Sequence, residues 1–331
     1  MAKVEILELK NSQFDELLSF LKKWGLDHPE LGEGHILRWQ RCHRFVAVYE
    51  GKIVGYIGQI PHDFKYGKSI DNKGIEHIGW GVTLVLDMSE SSIRKQAGRG
   101  LLNRVEHNAP LLFSGVGIVP AIEEPYKRRG YEIRRDSTKM YARFVKPSKA
   151  LRYLGKPVYY APLIKLANLK YRSSTAIPYD KITEIDHFKP EWDSIWDSIL
   201  YEQYEFFGIR NAEYLNYKLK QPNRRYHAYK HFDGGYIIFR IAQHRIKDLK
   251  LVKICDLVGT EAIKNDLLRI SLKFLYEQHA YGIVALASSK DEKIYKKAGL
   301  YISKSYPIAM QEHIRAKMHV SFYDSDLDNL W

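Results

Sequence analysis

The chain has 331 residues, 45% hydrophobic and 27% charged, which excludes a disordered or fibrous protein and leaves room for one large or two ordinary domains. No run of about 18 apolar residues occurs, so no membrane span is expected. The net charge of +13 favours a polyanionic partner, yet no block of five or six like charges marks a dedicated nucleic-acid site.

The opening stretch, MAKVEILELKNSQFDELL, lacks the apolar core of a secretory leader. Cys42 and Cys255 stand in unrelated contexts, so a reduced, cytoplasmic protein is expected. Ser12 and Asp15 form a capping-box-like start, and Phe14, Leu17, Leu18 and Leu21 then follow helical spacing. RFVAVYEGKIVGYIGQI reads as two strands around a tight Glu50-Gly51 turn. HIGWGVTLVLD is a third strand, GLLNRVEHN a helix, LLFSGVGI a buried strand and AIEEPYKRRG a short helix closed by glycine. YEIRRDSTKMYARFV completes this part with a strand.

Between the third strand and the helix lies IRKQAGRGLL, Ile93 to Leu102, which reads as a basic, glycine-punctuated loop. Gly98 and Gly100 let backbone N–H groups approach a ligand closely. The helix start adds unpaired donors, and Arg94, Lys95 and Arg99 add full charges. The combination is a seat for a pyrophosphate.

Residues 147–180 are a proline-rich connector, and the order of elements then repeats. PEWDSIWDSILYEQY and FGIRNAEYLNYKL are helices, and residues 226–259 give three strands with a turn at Gly234-Gly235. Ile263, Leu267, Ile270 and Phe274 mark a long helix, AYGIVALASS a strand, DEKIYKKAGLY a short helix and YISKSYPIAMQ a last strand. PYKRRGYE at 125–132 aligns with IYKKAGLY at 294–301. The expected fold is α/β (α+β), with units at 1–146 and 181–331, each a mixed, mostly antiparallel sheet flanked by helices.

Lys95-Gln96-Ala97-Gly98-Arg99-Gly100, with Tyr126, Gly130 and Tyr131 downstream, resembles the signatures of the GNAT acyltransferase superfamily. Lys stands where that family has Arg or Gln. The resemblance implies a tandem member that uses acyl-CoA as co-substrate. It puts backbone donors of Leu86 and Asp87 against the thioester carbonyl and makes Tyr126 the acid that protonates the leaving thiolate. The second unit has only Gly259, with acidic neighbours, at the corresponding place, so no CoA seat is expected there. The narrower resemblance is to enzymes that acylate the amine of a nucleotide-linked amino-deoxy sugar, of the dTDP type, for surface polysaccharides.

His77 and Glu76 are the candidates for a general base, since the amine must lose a proton before it attacks. A water chain serves as well. Arg210, Tyr214, Tyr217 and Lys218 belong to the densest aromatic and basic cluster, suited to a base and a diphosphate. Core packing between the units is the alternative role for that cluster, and it is the expected role of Tyr295. The histidines lack metal-ligand spacing, so no metal is expected. The other readings are an aminoacyl-tRNA-dependent, peptidoglycan-type transferase and a non-enzymatic acyl-CoA- or RNA-binding module. A monomer or a homodimer suits all of them.

Overall fold

The computed structural model describes residues 3–24, 42–68, 74–87, 89–109, 111–114, 120–153, 155–169, 178–220, 225–244, 249–311 and 318–321. The chain runs through β1 (Glu5–Glu8), α1 (Phe14–Lys22), β2 (His43–Tyr49), β3 (Lys52–Tyr66), β4 (Ile75–Leu86), α2 (Ser91–Asn108), β5 (Leu111–Ser114), α3 (Pro120–Lys127) and β6 (Tyr131–Phe144). In the connector lie α4 (Pro147–Tyr153) and α5 (Ala161–Leu169). Then come β7 (Ile182–Ile185), α6 (Asp193–Gln203), β8 (Phe206–Gly208), α7 (Ala212–Leu219), β9 (Tyr226–His231), β10 (Tyr236–His244), β11 (Leu249–Val258), α8 (Glu261–Glu277), β12 (Gly282–Ser288), α9 (Glu292–Lys297) and β13 (Tyr301–Gln311).

Local chemistry explains most boundaries. Glu50 and Gly51 both have positive φ, 48° and 75°, as a two-residue hairpin turn requires. Gly130 and Gly299 end the two short helices at the same φ of 79°. The helix expected to begin within FGIRNAEYLNYKL is shorter. Phe206–Gly208 instead pair with β3, and Asn211 caps α7 by accepting from the Tyr214 amide at 2.8 Å. β1 and β7, read as no element from sequence, are four-residue strands at the two sheet edges. The first four residues of LLFSGVGI form β5, and residues 115–119 lie outside the described ones.

The sheets of the two halves join into one ladder, ordered β1-β2-β3-β4-β5-β13-β6-β12-β11-β10-β9-β7, with β8 paired to β3. This order is symmetric about the β13–β6 pair. β4 with β5 and β11 with β12 are parallel, and the other pairs are antiparallel. β6 and β13 are exchanged: β6 follows α3 but pairs with β12, and β13 follows α9 but pairs with β5.

Strand alternation sorts side chains between layers. Phe45 and Ala47 of β2 meet Ala97 and Leu101 of α2, whereas Val46 meets Leu17 and Leu21 of α1. In the other half, Ile237 and Phe239 of β10 share a core with Leu267 of α8, and Tyr236 and Ile238 share one with Trp196 of α6. A central core with Trp80, Val284, Ile308 and Met310 spans the joint.

Each half therefore lacks a strand without the other. Residues 1–146 expressed alone should not fold, because β5 loses its partner β13 and β6 loses both of its partners, β13 and β12. Far-UV circular dichroism and thermal melting check this, and a cooperative melt of the isolated fragment would refute it.

Candidate functional site

The first half brings the end of β4 to the start of α2. Val82 pairs with Gly58 and Val85 with Tyr56, so two β4 residues oppose one of β3 and form a bulge. Beyond it, the Asp87 amide donates to the Val54 carbonyl at 2.8 Å. The Asp87 carboxylate accepts from the Ser89 amide at 2.9 Å, and this bond holds its pKa below the ordinary carboxylate value. Asp87 thus shapes the turn into α2, and its amide, bonded to Val54, is not the thioester donor that the resemblance implied.

Helix α2 begins earlier than the glycine pattern implied. Glu90 is its extended N-cap residue, and the Arg94 amide already bonds to the Glu90 carbonyl at 2.9 Å. Gly98 and Gly100 are therefore inside the helix, where their amides bond to the preceding turn. Their role is close packing. A Cβ on Gly98 would stand 3.0 Å from Leu86 Cδ1, and one on Gly100 would stand 2.6 Å from Ile6 Cγ1. Ala97 is fully buried, Gln96 and Arg99 point to solvent, and the Arg99 carbonyl accepts from Arg129. The donors suited to a pyrophosphate shift to the first turn, Ser91 to Ile93, whose amides have no acceptor within the helix. That turn has no acidic residue and is followed by Arg94 and exposed Lys95.

Tyr126 lies on α3 with its ring 2% exposed, edge-on to Tyr131 at 5.6 Å. Burial, outweighing nearby Arg129, pushes its phenol well above the ordinary value. Tyr295 is also buried, stacked on Tyr141 at 4.8 Å, in the packing role expected of it.

Glu76 and His77 do not join this end of β4. His77 is 80% exposed and pairs with Asp63 at 2.7 Å, and Glu76 accepts from the Tyr66 hydroxyl at 3.2 Å. At about 3.3 Å per residue, His77 stands about 30 Å along the strand from Leu86. A base must reach the reacting amine directly or through one water, so these two side chains and the Leu86 amide cannot serve one centre.

The Arg210 cluster is interior. Arg210 Nε donates to Asp256 Oδ2 at 2.7 Å, both side chains being fully buried, and Tyr236 donates to the same oxygen at 3.0 Å. Tyr214 stacks on His62 at 4.4 Å, Lys218 lies 5.4 Å over the Tyr214 ring, and Tyr217 packs on the central core. None of the four presents its polar group to a solvent-borne diphosphate, and packing between the halves is their role. Beside them, Lys264 donates to Asp291 at 2.9 Å and to Tyr204 at 2.9 Å. Asp256, Lys264 and Asp291 were missed from sequence, although one acid inside the apolar run KICDLV was a visible signal.

This network fills the second half's counterpart of the β4–β5 edge. β11 and β12 pair from Leu251–Gly282 to Ile254–Ala285, and beyond that Asp256 and Leu286 line a small cavity with His319 and Ser321. The chain itself enters there: the His319 amide bonds to the Phe206 carbonyl at 2.9 Å, and Ser321 meets Arg210 at 3.4 Å. The start of α8 is capped by Thr260 and followed by Glu261, whereas the Glu90 side chain makes no cap at the start of α2 and no acid follows it in the first turn.

No protein-family model matches the chain, and no curated protein matches it in sequence. Solved structures do match. A GCN5-related N-acetyltransferase from Anabaena variabilis is 12% identical over 92% of this chain and 72% of its own, with a TM-score of 0.55. N-myristoyltransferase from Saccharomyces cerevisiae with bound myristoyl-CoA is 12% identical over 94% of this chain and 80% of its own, at 0.59. A GCN5-related glucosamine N-acetyltransferase region of a fungal multi-domain β-N-acetylglucosaminidase is 12% identical over 93% of this chain and 38% of that one, at 0.53. The likeness is one of fold, and the fold is that of the GCN5-related N-acetyltransferases.

Arg210→Met leaves Asp256 buried without its cation. It should lower stability by about 3–5 kcal/mol, read from urea denaturation, with no selective rise in the Michaelis constant of any substrate. A stable variant that binds substrate poorly would return Arg210 to the binding residues.

Proposed function

We propose that the chain is an N-acyltransferase that moves an acyl group from acyl-CoA to an amine, with the donor seated in the first half. The carrying observation is the difference between the two helix starts within this fold. Beyond Glu90, whose side chain makes no cap, the first turn of α2 has amides without a helical acceptor and no acid, and Arg94 and Lys95 follow it, whereas that of α8 is capped and acidic. Ser91, Ser92 and Ile93 amides with Arg94 and Lys95 take the pyrophosphate. The Leu86 backbone amide at the end of β4 polarises the thioester carbonyl, while the Asp87 amide, bonded to Val54, holds the strand end in place. The amine attacks that carbon directly, and its proton leaves to solvent.

Tyr126 returns a proton to the departing thiolate. Burial keeps the phenol protonated through neutral pH, the form an acid needs, and the same burial demands direct contact with the sulfur because the proton is held more tightly. For the acceptor, our finer reading is the amine of a nucleotide-linked amino-deoxy sugar. It is supported by the charge of +13 and by the fold likeness to a glucosamine N-acetyltransferase. Exposed cations, not Arg210, would meet its diphosphate.

Arg94→Glu with Lys95→Glu, at the helix surface, should weaken acetyl-CoA binding at least tenfold in calorimetry while the melting temperature holds. Undiminished affinity would move the seat elsewhere. Tyr126→Phe should lower kcat more than tenfold at unchanged acyl-CoA affinity, the mark of a group acting in the transition state. Wild-type turnover would make it a packing residue like Tyr295. Thiol release with a nucleotide amino sugar, a free amino sugar and a polyamine, each offered with acyl-CoA, ranks the acceptors. Release with the polyamine alone would exclude the sugar reading.

A further inference from the structure

We propose that the connector after β6 is a docking surface for an anionic membrane. Five large apolar side chains stand together in water there: Val158, Tyr159, Tyr160, Leu163 and Leu166, exposed by 38%, 70%, 45%, 64% and 66%. Tyr159, Leu163 and Leu166 are spaced i, i+4, i+7, so they line one side of α5 and its leading turn. The other side is anchored: Ala161 is buried, and Asn168 Nδ2 donates to the Phe144 carbonyl at 2.7 Å. The stripe therefore faces outward because the helix is tied down from behind. A contiguous exposed apolar patch of this kind marks an interaction site.

Its charge says what kind. From Lys146 to Tyr179 there are seven Lys or Arg and no Asp or Glu, although 39 acids in 331 residues would place about four in a stretch of that length. Arg152, Lys156 and Lys165 are exposed around the stripe. Lys146 and Lys149 lie over the Tyr281 ring at 5.1 and 5.3 Å. Cations attract an anionic leaflet, while leucines and tyrosines enter the boundary between headgroups and acyl chains. A nucleic acid would satisfy the cations but leave Val158, Leu163 and Leu166 without a partner. A second copy would cover the apolar groups but set like charges against each other across a two-fold interface.

The topology also orients this surface. β4 is parallel to β5, and β5 and β6 are both antiparallel to β13, so β4, β5 and β6 run the same way. The connector leaves β6 at the end of the sheet where β4 hands over to α2. The docking claim itself does not depend on acyl transfer.

The test is sedimentation of the full chain with phosphatidylcholine vesicles, with and without phosphatidylglycerol, at low and high salt. Binding should require the anionic lipid and weaken with salt. Leu163→Glu with Leu166→Glu, both at exposed positions, should reduce it about tenfold or more at an unchanged melting temperature. No binding to anionic vesicles overturns the proposal, as does equal binding by the variant, which would assign the effect to overall charge. RNA binding through the same two leucines overturns it, and so does a dimer that this variant dissociates.

Discussion

The exchange of β6 and β13 is the constraint on which the other features rest. Each is the last strand of its own run of elements, and each is built into the opposite half, between its twin and the parallel pair. Their mutual pairing, with two irregularities, runs from Tyr301–Ala142 to Gln311–Tyr131 and carries the central core across the joint. A sheet assembled this way has no surface along which its halves can part without breaking backbone hydrogen bonds. The geometry at one end of β4 is thus fixed in part by residues more than 200 positions later.

Symmetry of backbone has not kept symmetry of chemistry. Where the first half leaves a helix start without a side-chain cap and followed by two cations, the second has Thr260, Glu261 and the chain's own His319–Ser321 segment at the equivalent edge. Arg210, Asp256, Lys264 and Asp291 make that region a satisfied polar interior. Burial would by itself raise the Asp291 carboxyl, but Lys264 and the Tyr204 hydrogen bond bring it below its ordinary value. Such a network stabilises only while each member keeps its partners.

Much of this was legible in the residues, and the exceptions have physical causes. Period-2 alternation in RFVAVY and helical spacing in the Ile263–Phe274 stretch predict their elements, because both segments bury one defined side. Glu50-Gly51 and Gly234-Gly235 announce their turns through the positive φ they must adopt. The repeat of Tyr126 and Gly130 at Tyr295 and Gly299 shows the doubled order of elements. The strand exchange has no local signature, since a strand reads alike whichever neighbour it pairs with. Gly98 and Gly100 misled because a glycine that lets a ligand approach and one that lets a strand approach are the same letter; only their neighbours in space, Leu86 and the distant Ile6, distinguish them. Arg210 misled likewise: its partner Asp256 lies 46 residues on, so a buried ion pair looked like a free cation.

The exchange has a consequence for synthesis on the ribosome. When residues 1–146 have emerged, the first half has nearly all its elements but not the strand that closes it. β5 and β6 must wait, edges open, until β13 leaves the exit tunnel. Co-translational completion of the first domain, the usual protection of a multidomain chain, is denied to this one. Loop closure across nearly 200 residues separates a translated first half from a finished one. The nascent chain is therefore a natural client for factors that shield open strand edges, and a stalled or truncated message would release a polypeptide with two of them exposed.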